Sequence, residues 1–142
     1  MTNGQKDKIE ASQLTKHAGF WMRRVSNGVS HAFARKLEAS GVTVAEWVVM
    51  REMYGGNDTT SPSVVAELTG LSRGAVSKLI SRLQAKGLVT RKAVEMVPRL
   101  ARLADENDEE FFGVLTQAER KELGEILKKI AALHKLTQMP VE

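Results

Sequence analysis

The stretch from Ser61 to Val94 leaves the chain little choice of local structure, because both of its helical segments are punctuated at the residue level. Ser61 followed by Pro62 is a cap with proline in the first turn, opening a short helix through Val64, Val65 and Leu68. Gly70 supplies a turn. Ser72 caps a second helix, and Leu71 before it and Val76 after it are placed to form a hydrophobic staple. Val76, Leu79, Ile80 and Leu83 recur at helical spacing and predict a core-facing stripe, so that Ser72, Arg73, Ser77, Lys78, Ser81 and Arg82 face outward. Two short helices joined over Thr69 to Leu71 have the spacing of a helix-turn-helix, whose second helix can enter a major groove. From Leu71 to Val94 the chain carries Arg73, Lys78, Arg82, Lys86, Arg91 and Lys92 and no acid, a single-signed patch suited to a polyphosphate.

The flanking sequence predicts long helices. Leu14, Ala18, Trp21, Val25, Val29, Ala32 and Leu37 fall near one face of a helix from Glu10 to Ala39. Gly19 and Gly28 each lower its propensity by roughly 1 kcal/mol, so packing must hold it. A capping box, Thr43 with Glu46, opens a second helix that runs to about Tyr54, and Val42 is placed to staple onto Trp47. Gly55 to Asp58 break it, and Thr59 and Thr60 read as a short strand whose partner is the alternating run Leu88 to Val94. Helical pattern resumes at Met96, with Pro98 acceptable in a first turn, and marks Val97, Leu100, Ala104, Phe111 and Leu115 as its apolar side. A second capping box, Thr116 with Glu119, starts a last helix through Leu136. The expected architecture is mainly α with a small β element, a single domain over 1–142.

Composition removes several classes of function. Hydrophobic residues at 42% and charged residues at 27% describe an ordinary globular chain. The absence of cysteine excludes disulfides, thiolate metal sites and thiol redox chemistry. No apolar run nears the roughly 20 residues that cross a bilayer, and the polar start MTNGQKDK is no signal peptide, so no membrane partner and a cytoplasmic location are expected. No Gly-rich phosphate loop, metal-ligand spacing or paired-carboxylate pattern points to an enzyme, and His17, His31 and His134 are too scattered for a metal site. Neither a metal nor another cofactor is expected. The net charge of +4 matters less than its arrangement, since Asp105, Glu106, Asp108, Glu109 and Glu110 crowd together far from the basic stretch. A solvated face or pairing with basic residues accounts for that cluster better than a cation site.

The run LTGLSRGAVSKLISRLQAKGLVTRK resembles the MarR family of bacterial winged-helix transcription regulators, and the long first helix, the TVAEW segment and two C-terminal helices stand in that family's order. The resemblance implies a homodimer held by interleaved first and last helices, here 10–39 and 96–137, around a winged helix-turn-helix module at 43–94. It implies a double-stranded, pseudo-palindromic DNA operator as partner, and regulation, most often repression, relieved by a small aromatic or anionic effector. One departure is large. The family continues from the strand after the recognition helix into a hairpin wing and a return strand, whereas Leu88 to Val94 is followed at once by Glu95, Met96, Val97 and Pro98. Either the protein has no wing, or an exposed wing is missing from the sequence as read. The exposure of such hairpins favours the second explanation, which requires a break between Lys92 and Val97.

Candidate DNA contacts are Ser61, Ser63, Ser72, Arg73, Gly74, Ala75, Ser77, Lys78, Arg82, Arg91 and Lys92. Ser72, Arg73 and Ser77, nearest the helix start, are placed for base edges, and Lys78, Arg82, Arg91 and Lys92 for phosphates. Candidate effector contacts are His17, Trp21, Trp47, Met50 and Arg51, set against ordinary core packing for the two tryptophans. The competing function is a dimeric protein-interaction module that kept the fold and lost competent DNA binding with its wing.

Overall fold

A computed structural model describes residues 10–55, 61–88 and 91–141. A 3₁₀ turn over Leu14–Lys16 precedes six helices: α1 Ala18–Glu38, α2 Val44–Tyr54, α3 Pro62–Thr69, α4 Arg73–Ala85, α5 Arg91–Phe112 and α6 Gln117–Leu133. Each predicted cap forms. Thr43 and Glu46 close a reciprocal capping box at 3.1 Å in both directions, and Thr116 and Glu119 close another at 3.0 and 3.2 Å. Ser61 Oγ accepts from Val64 N–H, and Ser72 Oγ from Ala75 N–H at 3.0 Å.

Three expectations are corrected. The first helix starts at Ala18 rather than Glu10, because His17 has extended backbone and interrupts the ladder. The described residues contain no strand: Arg91 to Val94, read as part of one, form the first turn of α5, and every regular element among the described residues is a helix. Alternation over so few residues lost to a longer pattern, in which Ala93, Val97 and Leu100 recur on one side and are buried. Thr59 and Thr60 lie outside the described residues. Because α5 opens five residues before Met96, Pro98 is interior rather than in a first turn, and one backbone hydrogen bond is absent there. The backbone between Lys92 and Val97 is unbroken helix, so the chain has no wing among its described residues.

The core gathers around α2. Trp47, Val49, Met50 and Met53 pack with Leu37 and Val42 before it, Val65 and Ala66 of α3, Val76, Leu79 and Leu83 of α4, and Ala93, Val97 and Leu100 of α5. Each of these larger side chains contributes about 1.5–3 kcal/mol by leaving water, so this lobe carries most of the stability. α1 lies along α5, where buried Asn107 donates to Val29 O at 3.0 Å and accepts from Lys36 Nζ at 2.9 Å. α6 contributes no buried residue. Beyond it the chain returns to the helix-turn-helix, where Met139 N–H donates to Leu68 O at 2.9 Å. Gly70, with φ of +74°, makes the left-handed turn between α3 and α4, and a side chain there would be strained and would meet Gln138.

Candidate nucleic-acid interface

The helix-turn-helix is α3, the Gly70 turn and α4. Its exposed surface follows from the core face of α4: once Val76, Leu79 and Leu83 are buried, Arg73, Gly74, Ser77, Lys78, Ser81 and Arg82 stand in solvent. The first turn of α4 has no acid, so its unpaired N–H groups and positive dipole end are left to attract an anion. A Cβ at Gly74 would meet only Ser72 Oγ at 3.9 Å, which leaves room for close approach of a partner's backbone. Ser61 and Ser63 are exposed at the start of α3. The oxygens of Ser61 and Ser72 accept their cap bonds, leaving each hydroxyl its donor for another partner.

Arg91 and Lys92 are the first two residues of α5 and both are exposed. Arg91 Nε stands 3.4 Å from Glu95 Oε1 in a solvent-exposed pair of the kind worth only tenths of a kcal/mol. Lys86, which belongs to the same basic run, turns inward instead. Its Nζ donates to Gly41 O and to Glu46 Oε1, each at 2.8 Å, and so pins the C-terminal end of α4 to α2 and to the turn before it. Glu46 is 1% exposed, and its Oε2 has no partner among the described residues. Burial pushes its carboxyl toward the neutral form, but hydrogen bonds from Lys86 and Thr43 outweigh this and hold its pKa below the ordinary value. No local pattern signals this pair, because its members are 40 residues apart.

The five candidate effector residues are divided. Trp47 and Met50 are core residues, and Arg51 is exposed with its guanidinium 5.9 Å from the Trp47 ring centroid. Trp47 also borders a cavity of about 300 Å³ with Phe33, Val48, Asn107 and Pro140. His17 stands at the exposed N-terminal boundary of α1, and its side chain makes no capping hydrogen bond. Trp21 donates from Nε1 to Thr15 O and lines a different space, an apolar groove of about 710 Å³ where Met22 and Val25 of α1 face Phe112, Leu123 and Leu127. Three acids of the acidic run are engaged within the chain: Glu110 pairs with Lys36, and Asp108 and Glu109 both meet Arg120. Among the described residues no cluster of His, Asp or Glu is placed to hold a metal. No helix there is long and apolar enough to cross a membrane.

A helix-turn-helix with a cationic second helix, set between long flanking helices, defines the class, and comparison with known proteins narrows it. Residues 40–97 match the model of the MarR family. The fold is similar to that of a MarR-family transcriptional regulator from Rhodococcus sp. RHA1, at 21% identity and a TM-score of 0.74 over 87% of this chain and 98% of that one. It is similar to CouR from Rhodococcus jostii RHA1, solved with p-coumaroyl-CoA, at 18% identity and a TM-score of 0.73 over 85% and 96%. Bordetella bronchiseptica BpsR, whose DNA binding is regulated by 6-hydroxynicotinic acid, matches at 22% identity and a TM-score of 0.72 over 84% and 98%. No curated protein matches the chain. The resemblance read from the sequence is thus matched over residues 40–97, and the fold is similar to that of solved MarR-family regulators.

Proposed function

We propose that the protein is a homodimeric, sequence-specific DNA-binding transcription regulator, a repressor that a small aromatic or anionic effector releases from its operator. The observation that carries this reading is the outward face of α4, where Arg73, Ser77, Lys78 and Arg82 are exposed on a helix whose other side is locked into the core. In this account Arg73 and Ser77 read base edges, while Lys78, Arg82 and Lys92 meet phosphates. The dimer is supported by apolar surface that one chain leaves uncovered: Trp21, Met22 and Val25 on α1 and Ile126, Leu127, Ile130 and Leu133 on α6. Two-fold pairing through these helices sets two copies of α4 about one helical turn of DNA apart, roughly 34 Å. Effector release is supported by the two neighbours of this fold described with aromatic acids or their thioester. The Trp47 cavity, between α1, α2 and α5, is the candidate seat, and occupancy there acts by changing the separation of the two α4 helices.

Arg73→Ala is expected to weaken binding to a selected duplex by about 1–3 kcal/mol and to leave binding to a mixed-sequence duplex of equal length much less affected, as measured by fluorescence anisotropy. Equal loss on both would make Arg73 a phosphate contact. The absence of a wing among the described residues favours a second reading, a dimeric protein-interaction module without competent DNA binding. Failure of the wild type to retain any DNA fragment at low salt would decide for that module.

A further inference from the structure

Charge is sharply partitioned along α5. Between Leu71 and Arg102 the chain holds eight cations and the single acid Glu95, whereas 103–112 holds five acids and no cation. Four of those eight cations, Arg91, Lys92, Arg99 and Arg102, lie on the N-terminal part of α5, and all four are exposed. Their direction is fixed by the core. Ala93, Val97 and Leu100 are buried, and at 3.6 residues per turn the four cations fall within roughly a third of the helix circumference on the opposite side. Glu95 shares that strip and stands against Arg91; among the described residues no carboxylate pairs with Lys92, Arg99 or Arg102. An ordinary solvated helix face mixes both signs, whereas this one holds four cations to the single acid Glu95.

We propose that the N-terminal part of α5 is a second DNA-backbone contact surface, a ridge of Lys92, Arg99 and Arg102 that meets phosphates beside the groove occupied by α4, on the side where the described residues include no wing hairpin. The inference rests on the regulator reading and extends it to residues outside the helix-turn-helix. Only residues 86–90 separate α4 from α5, a connection that reaches about 20 Å at full extension, so the basic end of α5 stays beside the end of the recognition helix. The occupant is a phosphate backbone rather than a partner copy's acids. Asp108, Glu109 and Glu110 of the acidic half are already paired with Arg120 and Lys36 of their own chain. Lysine and arginine on an exposed ridge read no base pattern, so the contribution is independent of sequence.

The test is the double variant Arg99→Gln, Arg102→Gln, titrated by anisotropy at several salt concentrations. The probes are one duplex selected from a random library by the wild-type protein and one mixed-sequence duplex of equal length, with Arg73→Ala in parallel. Two lost phosphate contacts lower the slope of log K against log salt by about 1.8, and affinity falls by the same factor on both duplexes. An unchanged slope, while Arg73→Ala still loses preference for the selected duplex, overturns the ridge and leaves the regulator reading intact. A weaker dimer in the absence of DNA, seen by sedimentation, also overturns it by giving these arginines to the partner copy. A wild type that retains neither duplex at low salt removes both proposals together.

Discussion

Lys86→Ala is expected to destabilise the protein by about 3 kcal/mol, a large effect for a residue beyond the last turn of a helix. The cost lies in what the substitution leaves behind. Glu46 keeps 1% of its side chain exposed, so a carboxylate deprived of Lys86 stays out of water with one oxygen already unpartnered. The lower end of the range for breaking a buried pair applies, because Lys86 itself remains 40% exposed and part of its charge is screened. Glu46→Gln in the Lys86→Ala background restores part of the loss: glutamine still serves the capping box with Thr43 and carries no charge. Urea unfolding of the wild type and the two variants measures both steps. Equal stability of the wild type and Lys86→Ala would remove the pair from the account of how α4 is held.

The same pair gives the acid limb of stability a definite sign. The folded-state pKa of Glu46 lies below its ordinary value, so its contribution is complete above that ordinary value and is lost as pH falls through the folded one. In Lys86→Ala only Thr43 still opposes burial, and burial favours the neutral carboxyl. Without the Lys86 hydrogen bond and charge the pKa of Glu46 rises from its folded value, and the stability it contributes above its ordinary pKa shrinks. Stability measured across the carboxylate range is therefore expected to fall less steeply with acid in Lys86→Ala than in the wild type.

The second large effect concerns the uncovered helices. Leu127→Glu combined with Ile130→Glu places two charges on side chains that are 41% and 40% exposed in a single chain, on a helix that buries no residue of its own. The isolated fold loses little from such changes. A dimer built on this face loses its apolar contact, and the expected result is a folded monomer by sedimentation, with affinity for a two-half-site duplex reduced by about 10²–10⁴ as the second recognition helix is no longer tethered to the first. A variant that still sediments as a dimer would move the interface elsewhere.

What was legible in the sequence was local. Thr43, Ser61, Ser72 and Thr116 each cap the helix they were predicted to cap, because such bonds span three residues and depend on nothing distant. The two faces of α4 were legible for the same reason, since one period divides buried from exposed. Arg91 to Val94 alternate as a strand would, but the spacing of Met96, Val97 and Leu100 carries the helix back to Arg91. The helical period of α1 extends through His17, where periodicity alone gives no warning of an extended residue. Contacts between distant segments, Lys86 with Glu46 and Met139 with Leu68, leave no trace in spacing. Glu46 was recognisable as a cap, but not as the carboxylate that anchors the recognition helix.

The central claim is that two copies of α4, held by a two-fold dimer, read a DNA site. Selection of bound duplexes from a random library by the full chain, followed by sequencing, tests it most directly. The account predicts enrichment of an inverted repeat whose half-sites are centred about 10 base pairs apart, or a multiple of that, at the spacing the paired helices impose. Recovery of unenriched sequences, or of a single half-site without its inverted partner, would contradict it.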